Sequence, residues 1–246
     1  MKMFFILLLS LAIHSQNTEK PVLKIGAISY PPFFNFQKDS AVTGIGVDRV
    51  EKILGKIFKL EWREVPISRG EIALNTDLID IYTAHSIVGT NRRKISYSKM
   101  PYIILHPQVC GTNTQPFSED LHELKGKSIL YPNGSHMIDR FKNLNIKVMP
   151  IDYSINYIDK GIKLLKLKRS DYFFCPTDHF LKDLSENHPE IICHGIGENF
   201  NAYITAKLGS EYISKIDELM EQQASQNLIT FPKEQPQTHT QSPKPN

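Results

Sequence analysis

The segment Thr90-Asn91-Arg92-Arg93 sets two guanidinium groups side by side, with His85 and Ser86 a few residues upstream. A guanidinium fork makes two parallel charge-assisted hydrogen bonds to a carboxylate, so the chemistry on offer is recognition of an organic anion. A solvated basic turn would look the same. A second anion site is available at Asn133-Gly134-Ser135, which opens a helix. Free backbone N–H groups and the helix dipole favour negative charge there. Ser135 is equally suited to serve only as the helix cap. No catalytic constellation is recognisable by spacing. His85 and His136 are isolated, no Ser/His/Asp or Cys/His arrangement can be assembled, and there is no C-x-x-C, His/Cys metal spacing or P-loop. Neither a metal nor a cofactor is expected, and the chain is not expected to be an enzyme.

Residues 27–36, AISYPPFFNF, place Tyr30, Phe33, Phe34 and Phe36 around two prolines, directly after an apolar run. The prolines forbid a regular strand or helix and stiffen a turn. Such a turn fixes the direction in which its rings point. Phe33, Phe34 and Phe36 suit anchoring the loop in a core.

The chain has 246 residues, 41% hydrophobic and 22% charged, with net charge +3. That is ordinary globular composition, sufficient for one large domain or two lobes. The Lys and Arg residues are spread out, so no nucleic-acid partner is expected. Met1-Lys2 precedes an apolar stretch from Met3 to Ile13, after which the chain turns polar. This has the form of a short secretory signal, too short to span a bilayer, cleaved after Ala12 or Ser15. No Cys lies there to carry a lipid. Residues 1–15 are thus expected to be removed and the protein exported to the periplasm as a soluble monomer. Cys110, Cys175 and Cys193 are odd in number. Buried free thiols are expected, with a Cys175–Cys193 disulfide as the alternative.

Short apolar runs near 22–27, 60–66, 79–84, 101–109, 128–131, 146–151, 171–175, 190–193 and 201–206 predict strands. Helical spacing recurs at Val47, Val50, Leu54 and Ile57, at Ile155, Ile158, Ile162 and Leu165 after the cap Ser154, and over 211–226. The alternation predicts an α/β architecture with largely parallel sheets. An economical arrangement is two lobes, with the chain leaving the first near 108–112 and returning near 198–203. Residues 233–246, KEQPQTHTQSPKPN, lack any apolar residue and are expected to be a disordered tail.

Six segments, in order, resemble the periplasmic solute-binding proteins of the extracellular family 3 type, the receptors of polar amino-acid ABC transporters. They are LKIGAISYPPFFNF, TGIGVDRVEKIL, LNTDLIDIYTAH, TNRRKISYSKMPY, ELKGKSILYPNGS and KLKRSDYFF, and the resemblance covers nearly the whole mature chain, about 22–230. The resemblance implies a two-lobed type II periplasmic-binding fold, each lobe a mostly parallel sheet flanked by helices. Lobe 1 would comprise 22–108 and 200–232, and lobe 2 would comprise 109–199. It implies capture of a small polar, carboxylate-bearing solute by lobe closure and its presentation to an ABC permease or a membrane sensor. A stand-alone sensor, a degenerate non-binding relative and a dehydratase-like enzyme on the same fold are the alternatives.

The resemblance also distributes roles. Tyr30 would stand at the floor of the cleft. Counting T-x-x-R from Thr90 assigns the carboxylate to Arg93, with Arg92 as the alternative. His85 and Ser86 fall where the family carries small hydroxyl residues, so His85 departs from the pattern. Arg69 stands where many members carry a cleft aromatic. The family's amine-binding Asp would fall on Pro176, and the nearest carboxylate, Asp178, is also placed to cap a helix over 178–185. Gly134 and Ser135 would meet the solute from lobe 2. Standard α-amino-acid recognition is therefore not implied.

Overall fold

The computed structural model describes residues 19–37, 41–85, 94–114, 117–118, 120–132, 138–151, 157–197 and 199–226. The signal, the cap Ser154 and the tail fall outside them.

The first stretch contributes β1 (Val22–Ala27), β2 (Asn35–Phe36), β3 (Val42–Thr43), α1 (Ile45–Leu54), β4 (Lys59–Glu64), α2 (Gly70–Asn75), β5 (Ile81–His85), β6 (Ile95–Tyr97) and β7 (Ile103–Leu105). The middle stretch contributes β8 (Gln108–Thr112), β9 (Ser128–Pro132), α3 (Ile138–Asn143), β10 (Lys147–Ile151), α4 (Tyr157–Lys166), β11 (Tyr172–Cys175), α5 (Leu181–Asn187) and β12 (Ile191–Gly195). The chain ends with β13 (Phe200–Lys207) and α6 (Glu211–Ser225).

Two large sheets result, beside the two-stranded pair β2-β3. One has the order β4-β1-β5-β13-β6, with β7 also on β13; the other has the order β10-β9-β11-β8-β12. In each, one strand opposes all the rest. β13 runs antiparallel to β5, β6 and β7, and β8 runs antiparallel to β11 and β12, while β1, β4 and β5, and likewise β9, β10 and β11, are parallel. The two-lobed α/β expectation is what the structure shows. The predicted strand at 101–109 is in fact two, β7 and β8, in different sheets. Pro107 lies between them and cannot donate to a ladder, so pairing stops and the chain passes from one sheet to the other.

Each sheet has its own core. The first is built on Leu23, Ile25, Val47, Val50, Leu54, Ile81, Ile204 and Met220. The second sheet is buried on both faces. Along β11, Tyr172 and Phe174 enter one cluster, whereas Phe173 and Cys175 enter another with Tyr157, Ile162 and Leu184. Continuous apolar runs such as Tyr172-Phe173-Phe174-Cys175 are what a doubly covered strand requires.

The cysteine expectations need correction. Cys110 and Cys193 form a disulfide, and Cys175 alone is free and buried. Antiparallel pairing sets Cys193 directly opposite Cys110. Cys175 is on β11, on the far side of β8, so β8 stands between it and β12 and no Cys175–Cys193 bridge can form.

Candidate functional site

Parallel strands gather their carboxyl ends on one edge of a sheet, and in open α/β folds ligands bind outside that edge. Every candidate residue follows such an end. Tyr30 comes after β1, Arg69 after β4, His85 closes β5 with Ser86, Thr90, Arg92 and Arg93 behind it, Gly134 and Ser135 follow β9, and Asp178 follows β11. Residues 86–93 and 133–137 lie outside the described residues, so Ser86, Thr90, Arg92, Arg93, Gly134 and Ser135 have their chain position and no geometry. For His85 only the backbone, in β5, is described.

The loop after β1 is built tightly. The Pro31-Pro32 peptide is cis. Phe33 N and Phe34 N both donate to Tyr30 O, at 2.8 and 2.9 Å, and Tyr30 N donates to Phe34 O at 2.7 Å. The carbonyls of Pro32 and Phe33 accept from Ile45 N and Gly46 N, both at 3.0 Å, so the loop satisfies the first donors of α1. Gly44 makes this approach possible. Its φ is 132°, and a Cβ there would lie 2.4 Å from Phe33 O and 2.5 Å from Pro32 O. The loop that carries Tyr30, Phe33 and Phe34 is thus fixed by backbone, and the Phe33 and Phe34 side chains join the core as expected.

Across from this loop stands the segment after β11. Thr177, fully buried, begins it. Its Oγ1 accepts from His179 N at 3.4 Å and lies 2.7 Å from His179 Nδ1. Asp178 Oδ1 is 3.3 Å from His179 Nδ1 and accepts from Thr177 Oγ1 at 3.4 Å. The cap of this turn is therefore Thr177, not Asp178 as the sequence suggested, and a single 3₁₀ turn over Asp178–Phe180 precedes α5. Thr177 can do this because it is extended, at φ −154° and ψ 155°, whereas Asp178 already lies within the turn. Asp178 is left half-exposed, next to a histidine and a hydroxyl.

The two segments meet. The His179 ring stands edge-on to Phe33 with centroids 4.8 Å apart, and Phe180 lies tilted against Tyr30 at 5.9 Å. Tyr30 itself stacks on Phe33 at 5.6 Å and is only 6% exposed. The carboxyl ends of β1 and β11 thus face one another through four rings. Behind them Tyr157 donates its hydroxyl proton to Phe174 O at 2.5 Å, and burial raises its pKa well above the ordinary tyrosine value. Burial likewise pushes the Cys175 thiol up to about 12, so it is not a nucleophile at neutral pH.

Tyr30 and Asp178 therefore lie on the two facing segments. Arg69 makes no hydrogen bond or ion pair with either segment among the described residues. It is exposed, at the end of a one-turn helix, and makes no ion pair among the described residues. Thr177, His179 and Phe180 were missed by sequence reasoning. The signal available was their place directly behind the buried run of β11.

No protein-family model matches the chain, and no curated protein matches it in sequence. Solved structures do match. An ancestral arginine-binding protein bound to arginine aligns with a TM-score of 0.70 at 21% identity, covering 85% of this chain and 94% of that one. An arginine transport-system periplasmic binding protein from Legionella pneumophila aligns at 0.68 and 19% identity, covering 85% and 96%. An ancestral amino acid-binding protein, a precursor of cyclohexadienyl dehydratase, aligns at 0.69 and 15%, covering 84% and 90%. The chain has the fold of these binding proteins over most of its length.

Proposed function

We propose that the protein is an exported solute-binding protein that closes two lobes over a small polar, carboxylate-bearing solute and presents it to an ABC permease. The observation that carries this is the meeting of the β1 and β11 carboxyl ends, Tyr30 and Phe33 against His179 and Phe180, within a fold shared with amino-acid-binding proteins. Lobe 1 is residues 22–108 with 200–232, and lobe 2 is 109–199. Arg93 receives the carboxylate, with Arg92 as the alternative, and Ser86, Thr90, Gly134 and Ser135 complete the polar lining. Asp178 supplies negative charge from lobe 2, where Pro176 occupies the position of the family's amine-binding carboxylate. Closure is a hinge motion in which contacts from both lobes stabilise the closed form. The disulfide supports export, since such bonds persist in oxidising compartments.

Mass spectrometry of small molecules released from the purified protein tests this reading. A carboxylate at stoichiometric yield supports it. No released solute, together with no change in small-angle scattering across a panel of amino acids and organic acids, favours a degenerate relative.

A catalytic reading has one observation behind it: Asp178, His179 and Thr177 form a titratable, hydrogen-bonded group at the same edge, in a fold that also includes a dehydratase precursor. General acid catalysis needs such a group within reach of the substrate. Turnover of a cyclohexadienyl carboxylate to its aromatic product would establish it; no product at high enzyme concentration removes it.

A further inference from the structure

Phe180 is held from several sides. The 3₁₀ turn that carries it is capped by Thr177, and α5 begins at the next residue. Its ring packs against the lobe 1 core and also against the lobe 2 cluster containing Cys175 and Leu184. It lies 5.9 Å from Tyr30, whose neighbour on the lobe 1 side is Phe33 at 5.6 Å. His179 covers Phe33 from the same lobe 2 turn, and Phe33 is 3% exposed. Protein side chains therefore fill the space around the Tyr30 ring. A solute that stacked on it would have to displace a packed aromatic, giving up buried apolar area and ring–ring contact.

We propose that Phe180, supported by His179, is the specificity-determining residue of the cleft. It occupies from lobe 2 the place beside Tyr30 that the end of a long solute would need. The site takes a short carboxylic acid or short-chain amino acid, and rejects solutes with a long or aromatic side chain. This rests on the solute-binding reading and names the size class of its solute.

The test uses calorimetry on the mature protein with two short probes, L-alanine and succinate, and three long ones, L-arginine, L-histidine and L-phenylalanine. The wild type is expected to show no heat with the long probes. Truncation of a packed ring leaves an apolar space that a ligand group can enter. Phe180→Ala is therefore expected to bind at least one long probe at least tenfold more tightly than the wild type does. Phe180→Leu, which keeps most of the packing, serves if the alanine variant fails to fold, and is expected to give a smaller gain for the same probe. Binding of long and short probes with equal affinity by the wild type overturns the proposal. So does a folded Phe180 variant that gains no long probe. If the solute released from purified wild-type protein is itself long-chained, the size rule falls while solute binding stands. If nothing is released and no variant binds any probe, the solute-binding reading falls and takes the size rule with it.

Discussion

Cys110 and Cys193 face each other across β8 and β12, with Cα atoms 4.0 Å apart and a disulfide between them. The bridge joins positions 83 residues apart. In the chain-entropy picture, closing a loop of that size stabilises the fold by roughly 3–5 kcal/mol. Cys193→Ser should therefore lower the thermal midpoint by several degrees relative to the oxidised wild type. A thiol count should find no reactive group in the native protein, one after denaturation and three after denaturation with reductant. Three reactive thiols in denaturant alone would show that the bridge does not form.

Asp171 ties β11 to β9. Its Oδ2 accepts from Ser128 N and from Ser128 Oγ, each at 2.7 Å, and Asp171 N donates to Ser128 Oγ at 3.0 Å. Burial pushes this carboxyl up, but the Ser128 hydrogen bonds and nearby Lys127 outweigh it, and the net pKa is below the ordinary aspartate value. A depressed folded-state pKa contributes stability that is present above the unfolded value of about 3.9 and is lost as pH falls through the folded value. Asp171→Asn should cost about 1 kcal/mol at pH 7, a modest figure because the carboxylate is partly solvated. The gap to wild type should narrow as pH drops below about 4. A gap that is constant between pH 7 and pH 3 would remove the charge from the account.

Gly44 is the third point of test. At φ 132° and ψ 170° it occupies backbone space open essentially to glycine, and a Cβ would collide with two carbonyl oxygens of the Tyr30 loop. Gly44→Ala should lose at least about 1–3 kcal/mol in denaturant titration. Gly126→Ala is the control. It also has positive φ, at 77°, but a Cβ there meets nothing within 4 Å, so its loss should be the smaller. Equal losses would mean that backbone strain alone, without the loop contact, governs both sites.

Much of this architecture was legible in the sequence because it rests on local pattern. The apolar runs that became β1, β9, β11 and β13, and the helical spacing of α1 and α6, each reflect burial against a neighbour in the same lobe. What was not legible depends on which strand lies beside which. Cys193 finds Cys110 rather than Cys175 only because β8 runs between β11 and β12. The break at Pro107 looked like one long strand because apolar residues, Ile103 to Leu105 before it and Val109 after it, lie within a few positions on either side. His179 and Phe180 carry no spacing signal at all. Their partners, Phe33 and Tyr30, lie about 150 residues earlier in the chain and in the other lobe. For the Arg92–Arg93 pair the sequence gives a chain position between β5 and β6 and nothing more.

That pair makes the last prediction. If the solute carries a carboxylate, Arg93→Ala should weaken its binding while the thermal midpoint stays close to wild type, because the role proposed for it is in binding and not in packing. A charge-assisted hydrogen bond contributes on the order of 1.5–3 kcal/mol, and a bidentate pair reaches the upper end. At about 1.4 kcal/mol per decade, the loss is roughly tenfold to a hundredfold. Arg92→Ala is the internal comparison. A large loss in Arg92→Ala with none in Arg93→Ala would transfer the role by one residue and keep the mechanism. Calorimetry with the released solute and its neutral amide separates charge from shape. Wild type should prefer the carboxylate, and the variant lacking the clamp should bind acid and amide alike. If neither substitution weakens a carboxylate solute, the clamp is wrong, and recognition must come from the lobe 2 groups around Thr177 and Asp178.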